Sequence, residues 1–210
     1  MTIGVFALQG DFEAHRRILE ECGVPVIKVR DADSLKECAG LIIPGGESTV
    51  MSQLCERYGL WEPLQARLAE GMPAFGTCAG MILLAKNITG ASRNFAQKTL
   101  GAMDIDVARN AYGAQVDSFE ADIDLIDVPG AIADDTSSDT EETSLRAVFI
   151  RAPQIVRCGA EVEVLATHEG KPVVVRQGKL MATAFHPEIS GDARLHVLWL
   201  KSLEATKERS

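Results

Sequence analysis

Between residues 3 and 86, short apolar runs alternate with segments of helical period, and turn residues separate them. Residues 3–8, 24–29, 41–43 and 73–75 read as strands, and residues 12–22, 34–38, 48–58, 60–70 and 79–86 read as helices. Phe12, His15, Ile18, Leu19 and Cys22 recur at helical spacing, as do Val50, Met51, Leu54, Cys55 and Tyr58. Strands that are apolar from end to end bury both faces, and strands joined through helices run parallel. The pattern calls for a mostly parallel central sheet with helices on both faces. Downstream the character changes. Residues 103–107, 147–150, 162–166, 172–176 and 180–184 read as short strands, with Glu169-Gly170 and Gln177-Gly178 as hairpin turns, and residues 191–206 read as a closing helix. A smaller set of antiparallel strands is therefore expected in the second half of a single domain spanning residues 1–210.

Charge and cysteine usage narrow the class. Lys and Arg number 21 and Asp and Glu 30, a net charge of −9. Ten of the acids lie between Asp117 and Glu142, a stretch without Lys or Arg, so the acidity is local. Residues 129–144 are polar and rich in Ser and Thr, and read as an exposed acidic loop. No basic stripe exists to neutralise phosphates, which argues against a nucleic-acid binder. No apolar run is long enough for a helix to cross a bilayer, so no membrane association is expected. The segment Met1-Thr2-Ile3-Gly4-Val5-Phe6 lacks a basic region and a cleavage site, which makes the cytoplasm the expected compartment. Cys22, Cys38, Cys55, Cys78 and Cys158 are scattered and form no CxxC pair, fitting neither a disulfide framework nor a zinc site. All but Cys78 read as small buried apolar residues.

Cys78 stands apart because of its neighbours. Phe75-Gly76-Thr77-Cys78-Ala79-Gly80 sets a cysteine between two glycines at a strand-to-helix junction, the shape of a nucleophile elbow. The positive end of the helix macrodipole there favours an anionic sulfur. A thiol nucleophile also needs a base. His15 and His196 fall within helical patterns and His168 beside a hairpin turn, where a surface or capping role is the ordinary one. His186 instead ends a strand and precedes Pro187 and Glu188. Pro187 biases His186 toward extended backbone, in which residues two apart project to the same side, so Glu188 is placed to orient the imidazole. Pro44-Gly45-Gly46-Glu47-Ser48 also ends a strand and opens a helix. Its paired glycines let backbone N–H groups approach a ligand, and the N–H groups of Gly46 and Ala79 are the candidate donors to an oxyanion. The plainer alternative is a turn with Ser48 as helix cap. No Lys follows the glycines, which argues against a phosphate loop.

The glycine-rich loop, the elbow and the late His-Pro-Glu, in that order, resemble the class I (triad) glutamine amidotransferases. Further runs narrow the resemblance: Leu8-Gln9-Gly10, Pro44 to Thr49, Ala108-Arg109-Asn110, Gln115 to Ala121, Val148 to Pro153, and Phe185 to Glu188. Over about residues 3–203 the chain resembles the PdxT/SNO family, the glutaminase subunits of pyridoxal 5′-phosphate synthase. That resemblance implies a three-layer, flavodoxin-like amidotransferase fold. It implies Cys78 as nucleophile with His186 and Glu188 completing the triad, and L-glutamine held by Gly46, Glu47, Ser48, Arg109, Ile150 and Arg151. Arginine suits that task, since it binds a carboxylate through paired donors. The reaction implied is hydrolysis of glutamine to glutamate and ammonia through a γ-glutamyl thioester, with no metal or organic cofactor in this half-reaction. The implied partner is a (β/α)₈ synthase subunit in a hetero-oligomer, which takes up the ammonia for vitamin B6 biosynthesis. Gln9 and the Gly45-Gly46 loop are the candidate activation switch, because a peptide flip at glycine would aim or withdraw an oxyanion donor. The acidic stretch between Asp127 and Arg146 is longer than the family's usual connection and touches no motif residue. An amidotransferase subunit of another pathway, such as imidazole glycerol phosphate synthesis, shares the triad. A stand-alone γ-glutamyl thiol hydrolase does so too, and a non-enzymatic protein with a redox-sensitive Cys78 stays open beside them.

Overall fold

The computed structural model describes residues 1–89, 97–109, 118–126 and 144–204. The first half follows the expected alternation: β1 (Ile3–Phe6), α1 (Phe12–Glu21), β2 (Val26–Val29), α2 (Ala32–Glu37), β3 (Gly40–Ile43), α3 (Ser48–Arg57), α4 (Trp61–Ala69), β4 (Ala74–Thr77) and α5 (Ala79–Leu84). Every residue of β1, β3 and β4 is buried, which is why these strands read as unbroken apolar runs. The second half contains β5 (Ala85–Thr89), β6 (Met103–Ala108), β7 (Ser118–Asp124), β8 (Ser144–Ile150), β9 (Gln154–Cys158), β10 (Glu163–His168), β11 (Lys171–Gln177), β12 (Leu180–Thr183), the short α6 (Pro187–Ser190) and α7 (Arg194–Glu204).

The central sheet runs in the order β10-β11-β12-β4-β3-β1-β2. From β12 to β2 neighbouring strands are parallel, while β10, β11 and β12 are joined as antiparallel hairpins. Their turns fall at Glu169-Gly170 and Gly178, all with positive φ. Helices cover both faces. On one, α1 lies against α6 and reaches α7 through a contact between His15 and His196. On the other, α4 lies against α2 and α3, and α3 against α5. Two smaller sheets complete the described residues, β5-β6-β9 and the antiparallel ribbon β7-β8.

Several expectations are corrected. The helix expected over 79–86 stops at Leu84, because Ala85 turns to φ −59, ψ 151 and starts β5, which pairs with β6. β7 and β9 lack a strong local strand signal. β7 carries three acids in seven residues, and what holds it is cross-strand contact. Phe119 stacks on Phe149 at 4.6 Å, and Arg146 of β8 pairs with Glu120 and Asp122. On α3 the buried stripe is Ser48, Met51, Ser52 and Cys55, whereas Val50 and Tyr58 are 39% and 58% exposed. Cys22 and Cys158 are only partly buried. Of the expected acidic loop 129–144 only Ser144 is described, and Asn110 and Gln115 to Asp117 also lie outside the described residues.

This topology locates the cleft. β1 continues to β2 on one side while β3 adds on the other, so the strand order reverses between β1 and β3. In such sheets ligands bind beyond the carboxyl ends of the strands, at that reversal. The residues just past those ends are Gln9 after β1, Gly45 and Gly46 after β3, Cys78 after β4 and His186 after β12.

Candidate active site

Cys78 adopts φ 47 and ψ −101, a strained conformation for a residue with a side chain, and its N–H donates to Thr183 O at 2.9 Å. The glycines beside it are dictated by space. A Cβ on Gly80 would stand 2.0 Å from Ile43 O, and one on Gly76 would stand 2.7 Å from Gly80 C. The elbow closes against β3 only without those atoms.

His186 is the residue at which β12 gives way to α6. It has φ −107 and ψ 87, and its N–H donates to Val148 O at 2.9 Å. Its Nδ1 lies 2.8 Å from Glu188 Oε1, with the carboxylate side chain fully buried. The two are neighbours as expected, but for another reason: Pro187 opens a helix, and Glu188 sits in its first turn rather than along an extended strand. Because Nδ1–H donates to the carboxylate, Nε2 is left for the thiol. Burial opposes charge on this imidazole. Hydrogen bonds with Cys78 and Glu188, and their negative charge, more than offset it and raise His186 to about 10.

Cys78, His186 and the loop after β3 border one cavity of about 280 Å³, which suits a small free molecule. Gln9, Gly46, Glu47, Ser48, Ala79, Arg109, Ile150 and Arg151 line it too. Glu188 stands behind His186, and Gly45 lies flat under the imidazole: a Cβ there would fall 2.1 Å from His186 Cε1. A Cβ on Gly46 would meet Gln9 Oε1 at 2.4 Å. Gln9 Oε1 accepts from the N–H of Glu47 at 2.9 Å, and Gly45 O accepts from the N–H of Asp11 at 3.3 Å. The glycine loop is thus tied to the end of β1 at two points. The cap of α3 is Glu47, not Ser48, which is the first helical residue and donates to Gln97 Oε1 at 3.1 Å. Arg109 Nη1 donates to Thr49 Oγ1 at 3.1 Å and to Gln97 Oε1 at 2.5 Å, and its Nη2 lies 3.4 Å from Glu47 Oε1. Arg151 sits at the mouth with φ 44.

Two features escape the sequence reading. Gln97 braces Arg109, and nothing in its neighbourhood of the sequence marks it. His15 and His196, expected in surface or capping roles, are both fully buried. His15 Nδ1 and His196 Nε2 are 2.8 Å apart, and His15 Nε2 lies 3.2 Å from Thr77 Oγ1. The signal for His15 was its place on the apolar stripe of α1. Burial, then the neighbouring His196 and His186, pushes His15 well below the ordinary imidazole value, and burial lowers His196 to about 4. Both imidazoles are therefore neutral in the folded protein at pH 7.

That neutrality has a measurable consequence. The unfolded chain protonates His196 near 6.5 and the folded protein only near 4, so the unfolded state binds more protons between those values. Folding stability is full above about pH 6.5 and is lost as pH falls toward 4. Each such histidine contributes a slope on the order of 1 kcal/mol per pH unit. Urea unfolding at pH 7.5 and pH 5.0 measures it. His196→Gln keeps a donor near the Nε2 position but does not titrate, and its stability should fall less steeply by about one proton.

A mostly parallel α/β sheet that sets a cysteine elbow against a histidine–carboxylate pair at its carboxyl edge defines a class, the class I glutamine amidotransferases. The solved structure of a glutamine amidotransferase superposes with a TM-score of 0.83 at 42% identity, covering 96% of this chain and 98% of that one. PurLQS from Thermotoga maritima shares the fold, with a TM-score of 0.68 at 14% identity over 98% of this chain and 97% of that one. The sequence profile of the SNO glutamine amidotransferase family matches residues 5–205, and the chain belongs to that family. The pyridoxal 5′-phosphate synthase subunit PdxT of Herpetosiphon aurantiacus is 52% identical over 201 residues, 95% of this chain and 99% of that protein. The subunit of the same name from Acidothermus cellulolyticus is 50% identical over 208 residues, 97% of this chain and 94% of that protein. The family expected from the motifs is the family found.

Proposed function

We propose that the whole chain acts as one amidotransferase domain, the glutaminase subunit of a pyridoxal 5′-phosphate synthase, and hydrolyses L-glutamine through a Cys78–His186–Glu188 triad. The observation that carries this reading is a small cavity bordered by a thiol, an imidazole backed by a carboxylate, two arginines and one glutamate. Arg109 and Arg151 suit the α-carboxylate of a free amino acid, and Glu47 suits its ammonium. Ser48 and Ile150 complete the walls.

The Cys78 thiolate attacks the side-chain carboxamide carbon. The oxyanion takes the N–H groups of Gly46 and Ala79 as donors. His186, protonated beside the thiolate, gives its proton to the departing nitrogen, so the C–N bond breaks, ammonia leaves and a γ-glutamyl thioester remains. Neutral His186 then takes a proton from water, hydroxide adds to the thioester carbon, and the C–S bond breaks to release glutamate and restore the thiolate. Glu188 stabilises the imidazolium at both stages.

Ammonia is mostly ammonium in neutral water, and only the unprotonated form is a nucleophile. The product is therefore of use beside an acceptor enzyme, which we take to be the (β/α)₈ synthase subunit. Docking acts through the two hydrogen bonds that tie the Gly45-Gly46 loop to Gln9 and Asp11, since a peptide flip there exchanges the groups facing the oxyanion. The five free thiols suit a reducing compartment, and we place the enzyme in the cytoplasm. No helix among the described residues is long and apolar enough to cross a membrane.

The test is labelling of the full chain with a glutamine-like chloroketone, read by intact and peptide mass spectrometry. One adduct is expected, on Cys78, suppressed by excess L-glutamine and formed faster with the synthase subunit present. Labelling spread over the other cysteines, or unaffected by glutamine, would refute the reading.

A further inference from the structure

Behind the triad, three elements converge on the far oxygen of its carboxylate. Glu188 uses Oε1 for His186, and its Oε2 is buried with no aligned hydrogen-bond partner. Nε2 of His15, on α1, lies 3.3 Å from it. That approach is within ion-pair range, with Nε2 at almost equal distance from Thr77 Oγ1, 3.2 Å. Thr77 is the residue before Cys78, so His15 bridges the element carrying the nucleophile and the element carrying the carboxylate.

The protons on the two buried histidines follow from what surrounds them. One ring must donate and the other accept between His15 Nδ1 and His196 Nε2. If His15 Nδ1–H donated, a bare Nε2 would face the Glu188 oxygen, lone pair to lone pair. His196 would also keep an Nδ1–H with no partner, since that atom is buried and unpaired. If His196 Nε2–H donates instead, His15 carries its proton on Nε2 and presents it to Thr77 and Glu188. The only orphan is then a bare ring nitrogen, which costs less than a buried orphan N–H. The other groups acting here agree with neutral rings: His186 disfavours charge on His15, and Asp192 favours it on His196 without overcoming burial.

We infer that His15 is a positioning residue for the reaction, its Nε2–H holding the far oxygen of Glu188 so that the near oxygen stays on His186, with His196 fixing the tautomer that makes this possible. The inference rests on the triad reading above. The contact is loose in the free enzyme and tightens once substrate fills the site, as catalytic hydrogen bonds do. A carboxylate held at one oxygen only is free to turn about its last bond, and each turn leaves the imidazole without its orienting partner.

The experiment measures ammonia release from glutamine by the full chain assembled with the synthase subunit. His15→Asn and His15→Gln are compared, because both put the same amide in place of the imidazole and differ only in reach. The glutamine amide reaches the Nε2 position and supplies a donor there, whereas the asparagine amide falls short. His15→Asn should lose roughly tenfold in kcat, with KM for glutamine unchanged. His15→Gln should recover most of that loss. In a Glu188→Gln background the Asn substitution should cost nothing further, since the group it positions is already altered. Equal kcat in the two His15 variants, or a loss that multiplies with that of Glu188→Gln, would assign His15 a merely structural role and overturn the inference. Wild-type kcat in Glu188→Gln alone would remove the triad, and the role of His15 with it. A crippled Glu188→Gln beside an unimpaired His15→Asn would remove only the latter.

Discussion

Cys78→Ala abolishes ammonia release from glutamine, with the rate falling on the order of 10⁴- to 10⁶-fold in the assembled enzyme. The reason is chemical. The proposed reaction runs through a bond to sulfur. Among the described residues Ser48 is the other hydroxyl or thiol on the lining, and its Oγ is engaged with Gln97 Oε1 at 3.1 Å on the first turn of α3. The fold should bear the change well. The side chain at 78 is small, and alanine meets the same positive φ of 47 that cysteine already tolerates. Glutamine binding, measured by calorimetry, should persist, because Arg109, Arg151 and Glu47 are untouched. A residual rate within about tenfold of wild type would mean that catalysis does not pass through this sulfur.

The cleft was legible because its parts are local in sequence and the topology is restrictive. Gln9, Gly45, Gly46 and Cys78 each follow a short buried strand directly, and parallel strands bring such residues to one edge whatever the details of packing. His186 joins them because β12 lies parallel to β4, in register Thr183 to Thr77, so the residues after each strand come out side by side. What stayed hidden depends on distant partners. The strand character of β7 comes from its seven-residue register with β8, which no local pattern of acids reveals. The burial of His196 follows from the face that α7 turns toward His15, 181 positions away in the chain. Gln97 lies in the segment just before β6 and owes its role to Arg109 and the start of α3. The neighbour relation of His186 and Glu188 was anticipated, yet its cause was not, since either an extended strand or the first turn of a helix brings the pair together.

Gly45→Ala should disable the enzyme without replacing any reacting group. The glycine lies against the face of the imidazole, and the added methyl carbon would fall 2.1 Å from Cε1, 2.6 Å from Nδ1 and 3.2 Å from Nε2 of His186. Ordinary contact between such atoms begins near 3.5 Å, so ring and loop must separate by more than an ångström. The ring is held at Nδ1 by Glu188 Oε1 and through its backbone by Val148 O. The loop is held by Asp11 and Gln9. Whichever gives way, the damage is catalytic: either Nε2 leaves the thiol or the N–H of Gly46 leaves the oxyanion. A displacement of that size costs on the order of 100-fold in rate, and kcat should carry the loss rather than KM, because Arg109 is held by Thr49 and Gln97 and not by the imidazole. Thermal unfolding should shift by only a few degrees, since the strain is taken up at the sheet's edge and not in its core. The reading of this glycine as a seat for the imidazole would fail if Gly45→Ala kept wild-type kcat, or if it lost activity only in proportion to unfolded protein.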